Sequence, residues 1–135
     1  MIKVGRRTTF NAAHRLHNPS WSDEKNKTVF DKCNSPNYHG HNYTLETWVE
    51  GEIDPHTGYV IDLGDLKKII KEEVEEPFDH RNLNLDVPEF ADLNPTAENI
   101  ARVIYDKLKP RLESFKLVVR LYETENNFVE YTKAE

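Results

Sequence analysis

The chain has 135 residues, a formal net charge of -6, 37% hydrophobic and 31% charged residues, which describes one soluble globular domain with no length for a second. An acidic balance excludes non-specific attraction to nucleic acid or anionic lipid, and no stretch approaches the roughly 18 apolar residues of a membrane span. The N-terminus, MIKVGRRTTF, carries no apolar run of a signal peptide, and one cysteine cannot close an internal disulfide. The expected setting is therefore cytoplasmic and reducing, with Cys33 a free thiol.

In chain order, Ile2, Val4, Thr8, Phe10, Ala12 and His14 share one parity, with Arg6 the exception, and predict a half-buried strand ending near His14. Residues 17–37 are polar, with Pro19 and Pro36, and read as a long loop of the kind that is often functional. From His39 to about Glu50 the alternation returns, with His39, His41, Tyr43, Leu45, Thr47 and Val49 on one face. A turn around Asp54-Pro55 and Gly58 then precedes an expected short strand from Tyr59 to about Ile61. Asp62 caps a helix carrying Leu63, Leu66, Ile69, Ile70 and Val74, which Pro77 is expected to end. A second helix starts near Thr96 with Ile100, Val103, Ile104 and Leu108 as its stripe, and KLVVRLYE and NFVEYTK read as two strands. The resulting class is α+β, with two helices on one face of an antiparallel sheet.

Four groups can carry chemistry. His39 and His41, two apart on a strand, project to the same side and can chelate a divalent ion, with His14 a third ligand; they are equally readable as polar residues at a sheet edge. Cys33 is either a small buried hydrophobe or a functional thiol, its place beside Lys32 in a polar loop favouring the thiolate. Asp79 beside His80 is a carboxylate-oriented imidazole able to carry protons, or ordinary decoration of a helix end. Glu123 ends an apolar strand face, either as a solvated strand end or as the bidentate acceptor for a donor-rich edge such as that of a pterin.

Taken together, FNAAHRLHNPSWSDE, KCNSPNYHGHNY, GEIDPHTGYVIDLGDLK, PFDHRNLNLDVPEFAD, NPTAENIA and LYETENN resemble the 6-pyruvoyl-tetrahydropterin synthase family over nearly the whole chain. The resemblance implies that residues 1–135 form one domain of the tunnelling fold, whose sheets join between subunits in a β-barrel, commonly a homohexamer built as a dimer of trimers with active sites between subunits. It implies His14, His39 and His41 as zinc ligands, Cys33 as the catalytic thiol and Asp79 with His80 as the proton relay. It implies Glu123 as the anchor of the pterin ring, with Thr96 in the segment that also touches the pterin.

The implied activity is that of a zinc-dependent carbon–oxygen lyase acting on a small molecule, 7,8-dihydroneopterin triphosphate, to give 6-pyruvoyl-tetrahydropterin and triphosphate. The alternatives are the 6-carboxytetrahydropterin synthase of queuosine synthesis and a non-catalytic metal- or pterin-binding module. Two departures stand out: Tyr38 occupies a position usually glycine in the animal enzymes, and Ala97 replaces a threonine. Five residues separate Cys33 from His39, the spacing of the pyruvoyl type. Arg15, Lys25, Lys27, Lys32 and Arg81 are the basic residues near the motifs that are candidates for the triphosphate.

Overall fold

Two long strands dominate the computed structural model, which describes residues 1–134. Strand β1 (Ile2–His14) and strand β2 (His39–Gly51) pair antiparallel along their whole length, from Ile2 opposite Gly51 to His14 opposite His39. The alternation of β1 is realised from Thr8 onward, with Thr8, Phe10, Ala12 and His14 buried and Thr9 and Asn11 exposed, whereas Val4 is half-buried and Ile2 at the strand's start is exposed. Arg6, the exception in the pattern, is half-buried on the inward parity. Strands β3 (Arg81–Asn82), β4 (Lys116–Tyr122) and β5 (Phe128–Tyr131) complete a sheet of order β3-β1-β2-β4-β5, in which only the two-residue β3 runs parallel to its neighbour.

Between β1 and β2 the chain is not the open loop expected. It forms helix α1 (Asp23–Phe30), capped by the Ser22 hydroxyl, and a 3-10 turn over Asp31–Asn34 that contains Cys33. Helix α2 (Leu63–Ile70), capped by the Asp62 carboxylate, continues through a π-helical turn (Lys71–Glu75) into the short segment α3 (Glu76–Phe78). Pro77 therefore lies inside the last turn and does not end the helix before it. The π turn has already displaced the hydrogen-bond ladder, with the Glu76 amide donating to the Lys71 carbonyl, so the proton Pro77 lacks is not missed. After a single turn, α4 (Leu83–Asp86), Thr96 caps α5 (Ala97–Leu108), as the sequence predicts.

The expected strand at Tyr59–Ile61 does not form. Its backbone closes a turn instead, with Asp54 donating to the Tyr59 carbonyl at 2.7 Å and Gly58 to Asp54 at 2.7 Å, which leaves no ladder for a sheet partner.

The core lies between one face of the sheet and helices α2 and α5. Ile100, Ala101, Ile104, Tyr105 and Leu108 of α5 face Leu45, Val49, Leu117, Val119 and Leu121, while Phe10 stacks on Tyr43 at 5.1 Å and meets Phe78 edge-on. The other face of the sheet carries Arg7 paired with Glu46 at 2.6 Å and Arg120 paired with Glu130 at 2.9 Å, beside an apolar strip in which Trp48 lies between Gly5 and Val118. No helix of the described residues is long and apolar enough to cross a membrane.

Candidate metal centre and its surroundings

The register of β1 on β2 puts His14 opposite His39 and Ala12 opposite His41, so all three histidines meet on the core side at one end of the sheet. Their ring centroids are 4.6, 5.0 and 4.9 Å apart, and one nitrogen from each lies within 4.8 Å of the others. His14 is completely buried. Its Nδ1 lies 2.8 Å from the Pro95 carbonyl, an acceptor only, so Nδ1 carries the proton and Nε2 presents a lone pair. The Tyr43 hydroxyl lies 3.3 Å from the same nitrogen.

His14 Nε2, both nitrogens of His39 and His41 Nε2 are buried without a hydrogen-bond partner. Buried polar atoms left unpaired cost stability, and three such nitrogens converging on one point fit a divalent cation. Burial first, then the neighbouring rings, lowers the His14 pKa to about 4, against the opposing pull of the Pro95 bond. Burial also lowers that of His39. These two rings are thereby held neutral, which is the form that ligates a metal.

Two further expected residues join this group. Glu123 follows β4, and its Oε1 lies 3.5 Å from His41 Nε2, while its amide donates to the Asn127 carbonyl across the hairpin at 3.1 Å. Cys33 is half-buried, and its carbonyl accepts from the Leu16 amide at 2.8 Å, which ties the 3-10 turn to the chain leaving His14. The expected bias toward thiolate is reversed in the metal-free protein: burial, Glu123 and Asp31 raise the Cys33 pKa. Lys32 is exposed and does not offset them. Thr96 sits next to Pro95, and its hydroxyl oxygen accepts from the Asn99 amide at 3.2 Å.

Asp79 and His80 lie apart from this group. The Asp79 carboxylate accepts from the Asn11 amide at 2.8 Å and is 2.9 Å from His80 Nδ1, and the Asn11 carbonyl accepts from the His80 amide at 2.6 Å. The pair is thus fastened to the outer edge of β1, three residues and roughly 10 Å along the strand from His14. It lines a hollow with Thr9, Asn11 and Asn42, residues of the opposite parity to the histidines. The Asn11 amide bond, more than His80, holds the Asp79 carboxyl below its usual range. His80 has φ 60, and its side chain is 81% exposed.

Sequence reasoning missed two contributors: the Pro95 carbonyl and the Tyr43 hydroxyl. Tyr43 shares its parity with His39 and His41, and that signal was available; the Pro95 contact depends on a loop packing that no local pattern encodes.

A profile of the 6-pyruvoyl tetrahydropterin synthase family matches residues 3–134. The chain is 51% identical over 130 residues, covering 96% of it and 90% of the relative, to the human protein named 6-pyruvoyl tetrahydrobiopterin synthase. It is 34% identical over 149 aligned positions, covering 96% of it and 99% of the relative, to the Rickettsia conorii protein named 6-carboxy-5,6,7,8-tetrahydropterin synthase. The solved structure of Caenorhabditis elegans 6-pyruvoyl tetrahydropterin synthase superimposes with a TM-score of 0.92 at 40% identity, over 98% of this chain and 96% of that one.

Proposed function

The chain belongs to the 6-pyruvoyl tetrahydropterin synthase family, and from that premise we propose that it is a carbon–oxygen lyase converting 7,8-dihydroneopterin triphosphate to 6-pyruvoyl-tetrahydropterin and triphosphate. The observation that carries this reading is the convergence of three unpartnered imidazole nitrogens beside Cys33 and Glu123 in a chain that is 51% identical to a pyruvoyl-type relative and 34% to a carboxy-type one. The reaction eliminates triphosphate and redistributes protons among the side-chain carbons and the ring, so electrons balance within the substrate and no external oxidant or reductant is consumed.

His14, His39 and His41 are the ligands of a zinc ion in this reading. When bound, zinc would supply Lewis-acid polarisation of the substrate hydroxyls and positive charge favouring the Cys33 thiolate. The Pro95 carbonyl fixes the His14 tautomer and so keeps Nε2 available as a ligand. Cys33 removes a proton from the substrate side chain. Glu123 accepts the paired N–H donors of the pterin edge and holds the ring in register, with Thr96 against the same ring. His80, oriented by the Asp79 carboxylate, passes protons onward.

Because the relay pair faces away from the histidines of its own chain, it serves the site of a neighbouring copy. This agrees with a homohexamer, a dimer of trimers whose sheets join in a barrel. Residues 1–135 act as one tunnelling-fold domain in that assembly, and the single free thiol and reduced substrate suit a cytoplasmic setting.

The test is to incubate the zinc-loaded protein with 7,8-dihydroneopterin triphosphate and identify the product by mass spectrometry. A 6-pyruvoyl product supports the reading, and a 6-carboxy product moves the protein to the queuosine-type reaction. Ligand retained without turnover would make it a binding module.

A further inference from the structure

Beside the histidine group lies a cleft of about 570 Å³ whose walls include Arg15, His17, Trp21, Tyr38, Asn84 and Asn94. Arg15 directly follows His14, and Tyr38 directly precedes His39, so the cleft flanks the metal centre where both long strands end. Three asparagine side chains fasten the chain here. Asn84 accepts from the Arg15 amide at 2.8 Å and donates to the Arg15 carbonyl at 2.9 Å. Asn94 accepts from the His17 amide at 3.1 Å. Asn34 donates to the Leu16 carbonyl at 2.7 Å and contacts His17 Nδ1 at 2.9 Å.

These bonds decide what the cleft offers. The Asn34 Nδ2 group is a donor, as its bond to the Leu16 carbonyl requires, so His17 Nδ1 accepts and His17 Nε2 carries the proton. Arg15 Nε donates to the carbonyl of Asn34 at 3.0 Å, and its two terminal nitrogens have no partner among the described residues. The guanidinium is therefore anchored by one donor with a pair of donors left over, within one residue of both His14 and Cys33. The same guanidinium borders a smaller groove that holds Lys27. Asp92 is the one carboxylate among the residues lining the larger cleft, and it is exposed.

Tyr38 supplies a separate observation. Its φ is 65, a left-handed conformation unfavourable for a bulky side chain, and such outliers cluster at ligand sites. Here the strained residue puts its ring against the cleft.

We infer that this cleft is the subsite for the triphosphate of the substrate, with Arg15 and His17 as its direct donors. The inference rests on the lyase reading above and extends it. A triphosphate has only acceptor oxygens, which match a set of fixed donors; a pterin edge presents donors and acceptors together and does not. The reacting carbons connect the ring to the triphosphate. With the ring toward Glu123 and those carbons at the histidines, the phosphates leave along the chain that follows His14. Of the five basic candidates, Lys25 lies over the Trp21 ring at 4.3 Å, and Lys32 and Arg81 line neither the cleft nor the adjoining groove. Lys27 contributes from the adjoining groove.

The test uses calorimetry on the intact metal-loaded protein with two probes, inorganic triphosphate and 7,8-dihydroneopterin. Arg15→Gln is expected to weaken inorganic triphosphate roughly tenfold to hundredfold, the range of a charge-assisted bidentate contact, while dihydroneopterin affinity and metal content stay within twofold of the wild type (about the scatter of such contacts). His17→Gln is expected to weaken triphosphate less, and it keeps the inference testable if Arg15→Gln does not fold. An unchanged triphosphate affinity in the folded variants, or no triphosphate binding by the wild type at millimolar concentration, overturns the inference while the lyase reading stands. Triphosphate bound through Arg15 with no affinity for dihydroneopterin keeps the cleft and removes the pterin reading.

Discussion

His14 is fully buried, with one nitrogen fixed on a carbonyl and the other aimed at two neighbouring imidazoles, whereas His80 leaves 81% of its side chain in solvent at the outer edge of the same strand. The first group is set by thirteen paired residues of two strands, whose register brings the histidines together, with the Pro95 carbonyl orienting the buried ring. The second depends on two backbone bonds to Asn11 and one contact between Asp79 and His80 themselves, at a position with φ 60. Under the proposed function the difference matches two tasks. A cation needs neutral ligands shielded from competing water, while a proton carrier must reach solvent and a substrate brought to it from outside its own fold.

The largest test of this contrast is His39→Ala, which removes one of three ligands. Metal affinity should fall by more than about a hundredfold, beyond the usual effect of losing only an outer-sphere partner, and turnover should disappear; wild-type affinity in a chelator competition would mean the three histidines are not the ligand set. Cys33→Ala should leave metal and dihydroneopterin binding intact and lower kcat roughly 10²- to 10⁴-fold, so unchanged turnover would remove the thiol from the mechanism. Asp79→Asn and His80→Gln should each lower kcat roughly a hundredfold at constant KM and metal content. The double variant should be no worse than the poorer single one, because the two act as a unit; additive losses would separate them.

The smallest effect is one of stability. His14 has a folded pKa of about 4 against an unfolded value of 6.5, so the unfolded chain binds more protons between those values. Stability of the metal-free protein is fully present above about pH 6.5 and falls as pH drops toward 4, by about 3 kcal/mol for this group. Urea midpoints at pH 7.5 and 4.5 measure it.

The buried group was also the legible one. Period-two alternation identifies β1 and β2, and two histidines at strand spacing must share a face, so only their meeting with His14 awaited the register. Helix α1 was not legible because DEKNKTVF has no apolar stripe, and the residue it buries is Asn26, held by hydrogen bonds to Asn18 and Ser22. The ionisation of Cys33 was misread for a similar reason: Lys32 is adjacent in sequence, but what raises the pKa is burial and then Glu123, some ninety residues away in sequence and close in space. The strand expected at Tyr59–Ile61 had the right residue types and no edge to pair with.

The π-helical turn at Lys71–Glu75 has a consequence for insertions and deletions. It acts as a phase shift, one residue added to an otherwise regular repeat, and each residue advances the helix by about 100°. That offset lets Glu75 reach the Thr8 hydroxyl at 2.5 Å, sends Phe78 into the core and delivers Asp79 to the Asn11 amide. Removing any one residue from this turn would restore an ordinary helix with nearly the same composition. It would also put Phe78 and Asp79 out of phase with β1, so the chain would gain a better helix and lose the bond that fastens Asp79 to Asn11.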